Sequence, residues 1–324
     1  MALTKVSNTM LVQPVNHNIL INPSFTVKQR GGVIDHNNTT FGPDRWKFRG
    51  VTDVGGTMSQ STSSPASGTN KLVVKHRNAT DFSWTYQSIE TVNLLGMNGK
   101  EMTFSFSYSD QGGSGIPTAT VFSWDSSTTS KTLYRAIPTS LGDNRWACTF
   151  TLSTEDGTLP ILSEKGMQVA IYPNEKNTAP NEWSVWETKL EVGSVATPFI
   201  ARPFGEEFIL CCRYFQRYGS GTGSPLIAVR RGANLIGFNV PYVTKMRTKP
   251  SLSFSLPLGA KTTTVRGGGN SETFTDLPDV TTHSDTFVTL SKAGLSFDPS
   301  STEAFVVYQN ATGSGGYMFF DSEL

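Results

Sequence analysis

The side chains best suited to chemistry in this chain are its tryptophans, Trp46, Trp84, Trp124, Trp146, Trp183 and Trp186. An indole ring can stack on the C–H face of a sugar, while nearby Asp, Asn, Gln or Arg side chains bond its hydroxyls. Most of these rings are expected in a core, the ordinary destination of a large aromatic. Trp124 is the best candidate for exposure, because it ends a strand-like run and enters the polar segment Asp125-Ser126-Ser127-Thr128-Thr129. Trp183 follows another polar stretch, 174–182. Trp124 and Asp125, with Trp183, are therefore the expected glycan platform at a loop end.

Catalytic constellations are missing from the text, and no catalytic residue is assigned. There is no G-x-S-x-G elbow for an activated serine. His17, His36, His76 and His283 are scattered, and neither H-x-x-x-H nor C-x-x-C spacing occurs, so no metal site is expected. Asp44 and Asp53 are loop carboxylates that leave a structural calcium open, but no D-x-D-x-D-G loop accompanies them. A glycosidase needs two carboxylates facing each other about 5–10 Å apart. Asp44, Asp53, Glu182 and Glu187 could supply them, yet any sandwich carries such residues as solvated charges. Gly267-Gly268-Gly269 has no following Lys-Ser/Thr, and so is not a phosphate cradle. No cofactor is expected.

The elements that position these residues are strands. Met102-Thr103-Phe104-Ser105-Phe106-Ser107-Tyr108 alternates large apolar with small polar residues. The alternation returns in Phe82-Ser83-Trp84-Thr85-Tyr86, in 146–152 and in Met167-Gln168-Val169-Ala170-Ile171-Tyr172, and a further strand runs over 183–191. Ile19-Leu20-Ile21 and Phe25-Thr26-Val27 also read as strand. One-face burial of Phe, Trp and Tyr is the expected core. Turn clusters at 110–115, 141–144, 155–157 and 173–175 separate the runs, a spacing that indicates a sandwich or barrel.

One segment differs. Glu206 to Tyr218 reads as a helix, with Phe208, Cys211, Cys212 and Phe215 on one face. Pro203 and two glutamates stand near its start and Arg213 and Arg217 near its end, and Gly219-Ser220-Gly221 stops it. The face Phe208/Ile209/Cys212/Phe215 is expected to pack in a homotrimer, the alternative being that the helix caps its own sandwich. The fold expectation is all-β: an arm over 1–18, a jelly-roll sandwich over 19–200, a linking helix over 201–219 and a second β-sandwich domain over 220–324.

Composition narrows the partners. The 324 residues are 16% charged with a net charge of +1, and no Lys/Arg run is long enough for a nucleic-acid or anionic-membrane patch. No apolar run reaches membrane-spanning length, so no membrane insertion is expected. Cys148, Cys211 and Cys212 are odd in number, two of them adjacent, and read as reduced thiols rather than a disulfide framework. The opening Met1-Ala2-Leu3-Thr4-Lys5 carries no hydrophobic signal core, which fits folding in a reducing cytoplasm without a secretory signal.

Several stretches together resemble a bacteriophage tail-fibre and minor virion protein family with a carbohydrate-binding-module-like jelly roll. Leu3-Thr4-Lys5-Val6-Ser7 is similar to the opening of many phage fibre chains. Asn18-Ile19-Leu20-Ile21-Asn22-Pro23-Ser24-Phe25, Gln29-Arg30-Gly31 and Asp44-Arg45-Trp46 resemble the family's "N-x-L-I-N-x-x-F", "Q-R-G" and "D-R-W". Tyr86-Gln87-Ser88-Ile89-Glu90 and Gly99-Lys100-Glu101-Met102-Thr103-Phe104-Ser105-Phe106 follow "Q-x-I-E … G-K-x-x-T-x-S-F". The most specific match is Lys189-Leu190-Glu191-Val192-Gly193-Ser194-Val195-Ala196-Thr197-Pro198-Phe199 with Arg202-Pro203, then Leu210-Cys211-Cys212-Arg213-Tyr214. Cys212 stands where a Gln is frequent.

The resemblance implies a virion part, often trimeric, that attaches to other virion proteins through the arm and contacts a host-surface or environmental glycan. Two readings stay open beside the fibre: a capsid head fibre or decoration protein binding only virion proteins, and a polysaccharide depolymerase.

Overall fold

The computed structural model describes residues 17–30, 34–36, 40–50, 56–62, 70–75, 83–111, 114–124, 130–152, 166–174, 182–219, 226–232, 234–255, 263–267, 270–274, 279–295, 305–309 and 317–323. The expected arm lies almost wholly outside them. The chain divides into two compact units, one ending at Glu207 and the next running from Phe208 to Glu323.

The first unit is a jelly-roll sandwich. In chain order its strands are β1 (Ile34–His36), β2 (Thr40–Phe41), β3 (Lys47–Gly50), β4 (Gly56–Ser61), β5 (Lys71–Lys75) and β6 (Ser83–Ile89). They continue with β7 (Glu101–Gln111), β8 (Pro117–Trp124), β9 (Ser130–Ala136), β10 (Thr139–Gly142), β11 (Arg145–Thr151), β12 (Met167–Pro173) and β13 (Glu182–Val192). One sheet has seven strands in the order β1-β4-β5-β13-β7-β11-β10, and the other has six in the order β2-β3-β6-β12-β8-β9.

The core lies between these sheets. Met102, Phe104, Phe106 and Tyr108 of β7 are buried together, as their spacing of two requires. Phe48, Val121, Val169 and Ile171 close the core from the six-stranded side. Side chains from two amphipathic sheets interdigitate in this way because each sheet has only one apolar face to hide.

Residues 18–30, in which Ile19–Ile21 and Phe25–Val27 were expected as strand, form an irregular plug instead. Asn22 and Phe25 have left-handed backbones, with φ of 55° and 53°. Polar side chains replace the missing ladder bonds. The Asn22 amide donates to the carbonyls of Val27 (2.8 Å) and Asp44 (2.9 Å), and its Oδ1 accepts from the Val27 N–H. Trp46 Nε1 donates to the Asn22 carbonyl at 3.0 Å. Asp44 accepts from the backbone and side chain of Gln29 at 2.9 and 2.6 Å. Gln87 reaches in from β6 and makes both a donor and an acceptor bond with the backbone of Ile21. Buried polar groups persist only when paired, and here they are paired to each other's backbones.

The chain's exit closes the same plug. Arg202 Nη1 pairs with Glu207 Oε2 at 2.9 Å and donates to the Leu20 carbonyl at 3.0 Å; Nη2 donates to the carbonyl of Asn18. Glu207 Oε1 accepts the Asn22 N–H at 2.5 Å.

Residues 193–198 form a strap held by charge. Lys189 and Glu191, both buried, pair at 3.1 Å. Glu191 accepts from the N–H and hydroxyl of Thr197, while Lys189 donates to the Thr197 hydroxyl and the Pro198 carbonyl. The strap crosses the outer face of the seven-stranded sheet, where Thr103 and Thr149 donate to the Gly193 and Ser194 carbonyls at 2.6 and 3.2 Å.

The second unit is also β. Its strands are β14 (Phe215–Tyr218), β15 (Leu226–Gly232), β16 (Leu235–Pro241), β17 (Ser251–Ser255), β18 (Thr263–Gly267) and β19 (Asn270–Phe274), then β20 (Asp279–His283), β21 (Phe287–Ala293), β22 (Phe305–Gln309) and β23 (Tyr317–Asp321). They form a three-stranded sheet, β14-β23-β17, and a seven-stranded one, β19-β18-β22-β15-β16-β21-β20. Ile236, Phe238, Val240, Val288, Leu290 and Phe320 lie in its core.

The expected helix is real but shorter. Helix α1 covers Phe204–Cys212, and the chain then turns into β14, where Phe215 pairs with Asp321 of β23. Sheet pairing and the aromatic run Tyr214-Phe215 outweigh the local helical pattern. The proposed trimer face is corrected accordingly. Cys212 is fully buried, and Phe215 is on a strand, buried and stacked on Phe319 at 5.7 Å. Phe208 is half-buried, and only Ile209 of the four is exposed.

Candidate functional site

Residues directly opposite in an antiparallel pair project to the same side of the sheet. This rule assigns the two faces of the six-stranded sheet. Thr85 and Gln87 of β6 stand opposite the core residues Ile171 and Val169 of β12, so they face inward. Trp84, Tyr86 and Ser88 therefore face out. The alternation of β6 is the reverse of that in β7: its aromatics turn away from the core, and Gln87 points inside, where it holds Ile21.

The outward residues line up in rows across the strands. One row runs Phe41, Lys47, Tyr86, Ala170, Thr120, Arg135. The next runs Ser88, Gln168, Phe122, Thr132. On the other side Arg49 stands opposite Trp84, and Tyr172 opposite Thr118.

The middle of this face is low and its surroundings are high. Ala170 and Thr120, small residues at the centre, are buried, whereas Trp84, Tyr86 and Phe122 around them keep part of their surface open. The polar groups form a prepared network. The hydroxyls of Thr120 and Tyr172 bond at 3.0 Å, Thr118 donates to Asn174 Oδ1 at 3.0 Å, and Gln168 Nε2 donates to the Ser88 hydroxyl at 2.8 Å. Behind Ser88, Arg45 donates to its carbonyl at 2.6 Å and fixes that strand.

Cations rest on the aromatic rings. The Arg49 guanidinium lies 5.2 Å from the Trp84 ring centre, and Lys47 and Arg30 lie 4.5 and 4.4 Å from that of Phe41. Such contacts keep long side chains over the face rather than extended into water. The arrangement offers flat rings, hydroxyls, amides and cations around a small-residue floor. It can hold a ligand with alternating C–H faces and hydroxyl edges.

The loop-end platform expected from the sequence is not assembled by the described residues. Trp183 is completely buried, its ring 6.0 Å from that of Tyr108, because it pairs opposite the core residue Val74. It cannot meet a sugar. The backbone of Trp124 ends β8 opposite Ser130, and Asp125 lies outside the described residues. Trp46 and Trp186 are buried, and Trp146 packs partly against the core.

Among the described residues, two of the carboxylates considered for hydrolysis have other partners. Asp44 is buried and committed to Gln29, Glu182 pairs with Lys75 at 2.8 Å, and Asp53 lies outside the described residues. No group of three metal-binding side chains occurs among the described residues. The outer face of the seven-stranded sheet carries a buried charge network. There Arg145 donates to the Glu187 carbonyl and to Ser105, with burial drawing its guanidinium down to about 10 against the nearby Glu187 and Glu191 carboxylates.

No protein-family model and no curated protein matches the chain. Similar solved structures exist, at low identity. The CBM22-1–GH10 modules of the Clostridium thermocellum xylanase Xyn10B, complexed with xylohexaose, match at 14% identity and a TM-score of 0.31, over 53% of this chain and 30% of that one. The CBM22-1–CBM22-2 tandem of Paenibacillus barcinonensis Xyn10C matches at 10% identity and a TM-score of 0.31, over 95% and 96%. The enzymatically active domain of bacteriophage CBA120 tailspike protein 4 matches at 11% identity and a TM-score of 0.35, over 54% and 21%. The chain thus spans under a third of the xylanase modules and about a fifth of the tailspike domain.

Proposed function

We propose that this chain is a non-catalytic adhesin of a bacteriophage particle, and that the outer face of its six-stranded sheet grips a surface glycan. The observation that carries the glycan reading is the set of aligned rows: Trp84, Tyr86 and Phe122 around Ala170 and Thr120, with Gln168, Ser88, Thr118 and Tyr172 as hydroxyl and amide partners. A sugar ring needs an apolar platform and hydrogen-bonding groups at its rim, and both stand here on rigid strands rather than loops. The virion reading is supported by the likeness of the 18–25, 44–46 and 189–203 segments to phage fibre and minor virion proteins. Attachment to the particle through residues 1–18 and trimeric assembly belong to the same proposal.

Two measurements test it. In affinity electrophoresis of the full chain through polysaccharide-containing gels, Trp84→Ala should weaken retention about tenfold, a cost of ~1.4 kcal/mol, with an unchanged melting temperature. Retention equal to that of the parent would remove this face from consideration. Gold labelling of intact particles locates the chain; signal on the capsid with no polysaccharide retained would make it a decoration protein instead.

A further inference from the structure

The charges of the first unit are unevenly shared between its sheets. The strands β2, β3, β6, β8, β9 and β12 contain no Asp or Glu at any position, while Lys47, Arg49, Lys131 and Arg135 lie among them. The other sheet holds Asp35, Glu101, Asp110, Glu182, Glu187 and Glu191. A chain whose net charge is only +1 has thus kept carboxylates off one sheet.

Position sharpens the asymmetry. Lys47 and Arg135 occupy the same outward row, with Tyr86, Ala170 and Thr120 between them. Strands are spaced about 4.8 Å apart, so the four steps from β3 to β9 set the backbones of these two residues roughly 19 Å apart. Arg49 and Arg135 are exposed, and neither forms an ion pair among the described residues. Lys47 and Arg49 are each held over an aromatic ring. Like charges collected on one face repel one another, and an anionic ligand relieves that repulsion as it binds.

We infer that the glycan held by this face is an acidic polysaccharide with a carboxylate on its repeating unit. The inference rests on the glycan-binding reading and specifies its ligand class. The chain lies across the strands over the Ala170/Thr120 floor. Its sugar rings stack on Trp84, Tyr86 and Phe122. Its carboxylates meet Lys47 and Arg49 at one end and Arg135 at the other. Arginine suits this role because its planar fork binds a carboxylate with two parallel hydrogen bonds.

The test uses the full chain on gels containing alginate, polygalacturonate, hyaluronate or α2,8-polysialate, each beside its carboxyl-reduced form. Single-stranded DNA serves as a polyanion without the sugar polymer's acid groups. At least one acidic polysaccharide should be retained, with affinity falling tenfold or more on carboxyl reduction and falling steeply as salt rises. The double variant Arg49→Gln/Arg135→Gln should lose a similar factor while melting at the parent temperature, since both side chains are exposed. Equal retention by acidic and reduced forms overturns the acidic class and leaves glycan binding standing. Equal retention on DNA, abolished by the same variant, overturns it in favour of general polyanion binding. No retention on any polysaccharide, acidic or reduced, by the folded protein overturns both readings.

Discussion

Replacing Glu207 by alanine should destabilise the first unit by about 4 kcal/mol, and the structure supplies the terms. The Arg202 guanidinium and the Glu207 carboxylate are 10% and 2% exposed and pair at 2.9 Å. Removing one partner of a buried pair costs ~3–5 kcal/mol, because the other charge stays buried. The Asn22 N–H, bonded to Glu207 at 2.5 Å, loses its acceptor, worth a further ~1–3 kcal/mol if it stays dry. Against these, Arg202 keeps its bonds to the Leu20 and Asn18 carbonyls, which places the sum near the lower bound. For a unit of this size the loss corresponds to a fall of roughly 10 °C in Tm. Glu207→Gln retains an acceptor for Asn22 and should lose about half as much. The assay is urea unfolding followed by tryptophan fluorescence, which reports on the first unit alone, since every tryptophan lies before residue 208. A cost below ~1 kcal/mol, or Arg202→Ala and Glu207→Ala effects that simply add in the double variant, would refute the view that this pair locks the chain's exit to its opening plug.

Four further outcomes are expected. Cys148, Cys211 and Cys212 are buried, so a thiol reagent at pH 8 should react with none of them in the folded chain and with all after denaturation. Burial pushes the Cys148 thiol up to about 12, partly offset by a backbone hydrogen bond at Phe104. The unfolded thiol releases its proton first, so stability should fall as pH climbs from about 9 toward 12, and Cys148→Ala should flatten that slope in alkaline unfolding curves. Burial, with Lys249 nearby, lowers the pKa of His283 below its ordinary 6.5. Its protonation then favours the unfolded chain, so the second unit should weaken as pH drops below about 6.5, and His283→Gln should remove that dependence when unfolding is followed by circular dichroism. Finally, Ala170→Trp should fill the floor of the six-stranded face and abolish polysaccharide retention; full retention would show that the ligand sits elsewhere.

The sequence by itself determined the class of fold and its repeating logic. Alternation in Met102 to Tyr108 is a statement about the backbone period, and a strand built that way must present Met102, Phe104, Phe106 and Tyr108 to one side. The scarcity of charge and the polar turn clusters likewise disfavour long surface helices. Several polar residues conspicuous in the sequence turn out to do architectural work. Asn18, Asn22, Gln29, Asp44, Gln87, Glu191, Arg202 and Glu207 serve as a buried lattice between plug, strap and sheets.

Tertiary structure alone decided which side of each strand faces the core. Period two is identical for Phe104/Phe106 and for Trp84/Tyr86, yet the first pair is buried and the second faces out. On the second strand it is Gln87 that turns inward, to bond Ile21, sixty-six residues away in the chain. Register likewise removed Trp183 from the expected site, since its pairing opposite Val74 commits it to the core. It also ended the helix at Cys212, where Phe215 found a strand partner in Asp321. Partners so remote in sequence are chosen by packing, and local pattern carries no record of them.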